Sequence, residues 1–145
     1  MNNEEKISEQ SIFDALVGAA NFRANNGVRK ITIERANFSF CVQGVDEDQV
    51  LKCRKLATKN RGRNGESTDW SRNAAYLIYN ATTPEDRKTL WDSRAVWQAL
   101  DCVCGADVVF KCLTPAERAR VVSIIETLSG YDDNEVDLDA TIENF

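Results

Sequence analysis

Lys30-Ile31-Thr32-Ile33-Glu34, then three residues later Phe38-Ser39-Phe40-Cys41-Val42, is the stretch on which the fold turns. Both segments alternate, and both are rich in β-branched or aromatic residues. Phe38, Phe40 and Val42 fall on one face, as period two requires. The connection Arg35-Ala36-Asn37 is short enough for a hairpin. The spacing therefore predicts two antiparallel strands near residues 29–34 and 37–42. Two strands alone are marginal in water, so this hairpin has to pack on something else.

Everything around it reads as helix. Upstream, Ile12, Leu16, Ala19 and Ala20 recur at helical spacing, with Phe13 and Val17 on the adjoining row. This helix starts at Ser8 or Ser11 and stops near Asn25-Asn26-Gly27, residues that tolerate positive φ. Downstream, Asp46 is a helix cap with Gln49 three residues on, ahead of a stripe of Val50, Cys53, Leu56 and Ala57. Lys59 to Ser67, rich in Gly, Asn and Arg, reads as loop. Ser67-Thr68-Asp69 caps a helix that runs through Ala74, Leu77 and Ile78 to Ala81. Thr83-Pro84 and Ser93 each open a further helix, Cys104-Gly105-Ala106 breaks the second, and Asp107 starts the apolar turn Val108-Val109-Phe110. Thr114-Pro115-Ala116-Glu117 combines a cap, a proline at the first position and a capping-box glutamate; its helix runs through Val121, Val122, Ile125 and Leu128 to Gly130. The expected fold is mainly α: a compact multi-helix domain of five to seven helices with one small N-terminal β-hairpin.

Charge divides the chain. Residues 132–145 hold Asp132, Asp133, Glu135, Asp137, Asp139 and Glu143 and no base. Those six of the chain's 23 acids leave 17 against 18 bases in residues 1–131, a nearly neutral body. Residues 1–131 are thus expected to be a single helical domain and 132–145 an acidic, flexible tail. On a short helix Leu138, Ile142 and Phe145 would come together as a docking face. Removing that tail is expected to leave thermal stability nearly unchanged. The opposite charge is concentrated in Lys52, Arg54, Lys55, Lys59, Arg61 and Arg63, with no acid between them. That stretch is the candidate electrostatic contact, either a solvated face or a phosphate-binding patch. A sequence pI near 4.8 and the lack of an aromatic within it weigh against a dedicated nucleic-acid binder.

The chain contains no histidine, so neither a Ser-His-Asp nor a Cys-His arrangement can form. No glycine-rich phosphate loop, H-E-x-x-H or EF-hand pattern occurs. Cys41, Cys53, Cys102, Cys104 and Cys112 form no regular framework, and Cys-x-Cys with one distant cysteine and no histidine is a weak metal pattern. They read as reduced thiols in or beside the core, with no metal and no cofactor. The start, MNNEEKISEQ, lacks the basic and apolar regions of a secretory signal, and no apolar run approaches membrane length. These features point to an intracellular binding protein. Trp91, Trp97 and Phe110, in a dense apolar zone, join Leu138, Ile142 and Phe145 as candidate partner-binding residues.

From Ala74 to Asp133, about two-fifths of the chain, the sequence resembles the tail assembly chaperones of long-tailed phages and prophages. The likeness rests on Leu77-Ile78-Tyr79-Asn80-Ala81-Thr82 before a proline and on the Leu90-Trp91 and Trp97 zone. It is closest in Phe110-Lys111-Cys112-Leu113-Thr114-Pro115-Ala116-Glu117 and in Ile124-Ile125-Glu126-Thr127-Leu128-Ser129-Gly130-Tyr131-Asp132-Asp133. Ala116 stands where the family often has glycine, and the N-terminal half matches in layout alone. The resemblance implies a non-catalytic protein that binds the tape measure protein, keeps it soluble and helps tail tube subunits assemble. It further implies residence in the host cytoplasm, absence from the mature virion and, in many members, a longer frameshifted form. Self-association is compatible with this role. The alternative is a small nucleic-acid-associated regulator using residues 52–63; a carboxylate enzyme is the third reading.

Overall fold

A computed structural model describes residues 3–24, 27–60, 65–131 and 140–142. Within them lie α1 (Asn3–Ala24), β1 (Val28–Ile33), β2 (Phe38–Gln43), α2 (Glu47–Leu56), β3 (Thr58–Asn60), β4 (Glu66–Thr68), α3 (Trp70–Ala81), α4 (Pro84–Asp86), α5 (Arg94–Leu100), α6 (Gly105–Cys112), α7 (Pro115–Leu128) and β5 (Ala140–Ile142). The mainly α expectation is met, and the hairpin stands where its alternation placed it.

β1 and β2 pair antiparallel, with Ile31 opposite Phe40 and Ile33 opposite Phe38. Period two puts Ile31, Ile33, Phe40 and Val42 on the core side, each at most 1% exposed. The turn closes through Asn37 at φ 55°, a left-handed position asparagine tolerates. Helices cover that face: α3 is the hub and packs on α2, α6 and α7. The β2 edge is closed by a single bridge from Val42 to Thr82, by the Thr83 N–H to Cys41 O at 2.9 Å and by the Cys41 N–H to Asp86 at 2.7 Å.

Local signals set most helix ends. Asp46 with Gln49, and Thr114 with Glu117, form complete capping boxes, and Asp69 caps α3 alone. Gly130, past the end of α7, takes φ 86° and supplies the left-handed stop. Gly105 was expected to break a helix. It instead sits in the first turn of α6, where a Cβ would run into the Tyr79 ring and Asp92. The break comes earlier, at Asp101 with φ 56°.

Three departures concern function. The stretch from Lys59 to Ser67 is framed by a second antiparallel hairpin, β3 with β4, in which the Thr58 and Thr68 hydroxyls share a hydrogen bond of 2.8 Å. In the acidic stretch, Ala140–Ile142 is a strand, paired parallel to β1 from Ile31 to Ile33. Ile142 is 4% exposed and belongs to the core cluster. The short helix joining Leu138, Ile142 and Phe145 is therefore replaced, at Ile142, by sheet. Leu138 and Phe145 lie outside the described residues. A π turn over Arg87–Trp91 follows α4, closed by the Asp92 N–H to Arg87 O at 2.7 Å, and it swings Trp91 inward.

Candidate partner-binding surface

The aromatic zone is largely consumed by the fold. Trp91 is 2% exposed and meets Phe38 and Phe40 edge-on, at 6.0 Å and 5.2 Å between ring centroids. Its indole N–H donates to Thr82 Oγ1 at 2.9 Å. That indole cannot reach a partner, so Trp91 leaves the candidate set; Ile142 leaves it for the same reason. Trp97 and Phe110 are half-buried, but their faces are occupied. The Arg94 guanidinium lies 4.5 Å from the Trp97 ring, whose N–H donates to Trp91 O at 2.7 Å. Phe110 has Arg72 at 4.1 Å and Arg118 at 4.7 Å from its ring centroid. Arg118 is itself buried, donating to the carbonyls of Phe110 and Leu113, and burial lowers its pKa.

The opposite corner is pinned by charge. Arg35, in the turn of the first hairpin, donates to both carboxylate oxygens of Glu117 at 2.9 and 3.1 Å and to Cys112 O at 2.9 Å. Glu117 also holds the α7 cap through the Thr114 N–H at 2.8 Å. The hydrogen bonds from Arg35 lead in lowering the Glu117 pKa, which burial partly opposes. One carboxylate thus ties the hairpin to α7. Cys53 is buried, and Cys41, Cys102, Cys104 and Cys112 are half-buried. Desolvation raises the Cys53 and Cys112 thiols. No cluster of three or more His, Cys, Asp or Glu side chains suited to a metal ion occurs among the described residues.

The apolar surface that remains open lies elsewhere. Every residue of α1 from Glu9 to Ala20 is exposed, including Ile12 at 57%, Phe13 at 61%, Leu16 at 67% and Val17 at 43%. These residues read in sequence as a stripe awaiting a core, and no core meets them. A groove of about 550 Å³ opens between α2, α3 and α7. Its walls include Val45, Val50, Trp70, Leu77, Val122 and Ile125, and Arg54 stands at its margin. Trp70 is 61% exposed, with the Arg54 guanidinium 5.6 Å from its ring. Buried in the same wall, Asn73 Oδ1 has no hydrogen-bond partner. A second hollow, lined by Ala20, Gly44, Ser129 and the start of α2, shares Val45 and Ser129 with the groove, so α1 leaves the body beside it.

Of the basic stretch, Lys52, Arg54 and Lys55 on α2 and Lys59 on β3 are all exposed. Arg61 and Arg63 lie outside the described residues. A helical apolar stripe looks alike whether or not something covers it, so α1 was not legible as a surface. Trp70, just outside the basic stretch, was legible as an aromatic but not as its neighbour.

These features define a mainly helical domain with one small hairpin at its core. The profile of the phage XkdN-like tail assembly chaperones matches residues 13–143, nearly the whole chain, and the protein belongs to that family. It is thus a phage tail assembly chaperone of a generally non-catalytic family. Among solved structures, a crystal structure of the protein YqbN is similar at 16% identity and TM-score 0.44, over 66% of this chain and 72% of that one. No curated protein matches the chain. No helix among the described residues is long and apolar enough to cross a membrane.

Proposed function

We propose that the protein holds helical segments of the phage tape measure protein in solution until tail tube subunits enclose them. It acts without catalysis, in the host cytoplasm, and is left out of the finished virion. The observation that carries this is the uncovered apolar face of α1: Ile12, Phe13, Leu16 and Val17, four large side chains on adjoining helical rows. A long apolar helix of another chain is the kind of surface such a face covers, read as anchors at helical spacing. Exposed apolar patches on soluble proteins mark interaction sites. The basic side chains on α2 and the acids of 132–145 would surround such a complex with charge that keeps it dispersed.

Co-expression with the cognate tape measure protein tests it. The intact chaperone should carry the client into the soluble fraction, and Phe13→Asp with Leu16→Asp should return it to the pellet without altering the fold. A doubly substituted chaperone that still solubilises its client would move the client surface away from α1. A client that stays insoluble beside the intact chaperone would overturn the function. Against the nucleic-acid alternative, binding to duplex DNA with a steep loss on adding salt is the contrary result.

A further inference from the structure

We propose that two helical segments of the client close around α1, and that one of them sets a lysine or arginine against Glu9. The inference rests on the function proposed above and names what that client presents.

The first observation is width. At about 100° per residue, the apolar side chains of α1 fill an arc of about 200°, from Ala15 through Ile12, Leu16 and Phe13 to Val17. All of them are exposed. A helix that packs on one side only shows an apolar stripe of about 100° or somewhat more. An arc near twice that width suits a helix clasped between two others.

The second is a charge set among those side chains. Glu9 lies about 60° round from Ile12, near the middle of the arc, and one turn before Ile12 and Phe13. It is exposed and makes no hydrogen bond or ion pair among the described residues. A carboxylate enclosed by apolar groups is costly unless a cation or donors meet it. From Ile7 to Phe22 the chain has two acids, Glu9 and Asp14, and no base. The occupant therefore supplies the base, and this one charge pair sets the register of the complex.

The third is the contrast with Asp14. That residue lies on the narrow polar back of the helix, with Gln10 and Ser11. Its carboxylate accepts a 3.0 Å hydrogen bond from the Gln10 amide. The same helix thus turns one carboxylate toward the occupant and the other toward water.

Competition tests this. Fluorescently labelled wild-type chaperone is co-expressed with the cognate tape measure protein, purified as the complex and displaced by unlabelled variants. Glu9→Lys should need at least about 30-fold more protein than wild type to displace half the label, as when a buried charge pair is broken. Asp14→Lys should need less than about fivefold more, because a solvated charge counts for little. Glu9→Gln, which removes the charge and keeps the shape, should fall between them. Ala15→Asp and Val17→Asp, at the two rims of the arc, should each weaken displacement as much as Glu9→Lys. All five should keep the wild-type circular dichroism, since none of these side chains is buried.

Equal values for Glu9→Lys, Glu9→Gln and Asp14→Lys overturn the inference, because no cation then meets Glu9. One rim substitution without effect overturns it too, since a single helix would then suffice. A change in the mass of the chain alone on Glu9→Lys, by sedimentation equilibrium, would assign the cation to a second copy and also overturn it. These outcomes leave the client reading standing. A wild type that never holds its client in solution overturns that reading, and this inference with it.

Discussion

Ile142→Ala should destabilise the protein, although its residue lies in a stretch whose composition is that of a solvated tail. The side chain is 4% exposed and packs in the cluster that contains Ile31, Ile33 and Phe40. Truncating a buried isoleucine to alanine costs about 2–5 kcal/mol, depending on how far the site collapses. β5 is three residues long and forms an edge, so collapse is easy and the low end, about 2–3 kcal/mol, is expected. For a domain of this size that lowers the thermal midpoint by about 5–12 °C. Deleting residues 132–145 removes the parallel pairing as well and should cost at least as much. Changing Asp132, Asp133, Glu135, Asp137 and Asp139 to their amides alters charge alone and should stay within about 0.5 kcal/mol. Thermal and urea unfolding followed by circular dichroism compare the three. If the deletion and Ile142→Ala both melt with wild type, Ile142 is not part of the core in solution and the acidic stretch is dispensable, as its composition suggests. If the amide variant melts as low as the deletion, charge and not burial is responsible.

The same assay separates two isoleucines that look alike in sequence. Ile125→Ala, at a fully buried site, should cost about 2–5 kcal/mol, while Ile12→Ala, 57% exposed, should cost under about 0.5 kcal/mol. Gly105→Ala should destabilise by about 1–3 kcal/mol, because its methyl group meets the Tyr79 ring; an unchanged urea midpoint would mean that α3 and α6 are further apart. The lowered pKa of Glu117 sets an acid limb. A carboxylate more acidic folded than unfolded adds stability that is full above the ordinary glutamate range of about 4.3 and is lost as pH falls through the lower folded value. Glu117→Gln should therefore unfold more readily than wild type at neutral pH, with the gap narrowing as pH falls below the ordinary glutamate range; a gap that is constant with pH would refute the ion pair.

What was legible in sequence was what neighbouring residues decide among themselves. Asp46 with Gln49 and Thr114 with Glu117 are separated by three residues, and both pairs close as capping boxes. The hairpin was legible because alternation and a short connection act over a dozen residues. β5 was not, since its partner Ile31 is more than a hundred residues away and the β-branched pair Thr141-Ile142, set among acids, is too short to mark a strand. The second hairpin was hidden for a related reason: Thr58–Asn60 and Glu66–Thr68 are three residues each, and glycine, asparagine and arginine dominate between them. The π turn that carries Trp91 inward inserts one residue into a helical count, which no periodicity foresees.

Apolar stripes and large aromatics differ in what the fold leaves open. An apolar stripe at helical spacing states that a helix will be covered, without saying by what. On α7 the cover is the chain's own sheet and α3, and Val121, Ile125 and Leu128 vanish into it. On α1 the same grammar meets no cover among the described residues. Large aromatics mislead in the opposite sense. Phe110 and Trp97 are the residues that hot-spot statistics favour, yet their faces are already taken by Arg72, Arg118 and Arg94. The exposed Arg94 keeps its charge in water while covering the Trp97 ring, and Arg72 and the buried Arg118 lie over Phe110, so those rings are shielded. A chaperone's working surface has to satisfy two demands at once: apolar enough to hold a client, and covered or charge-rimmed enough to stay soluble without one. Ring-capping arginines meet the second demand on α5 and α6. On α1 nothing among the described residues does, which is why a client helix is the occupant that face has to be tested against.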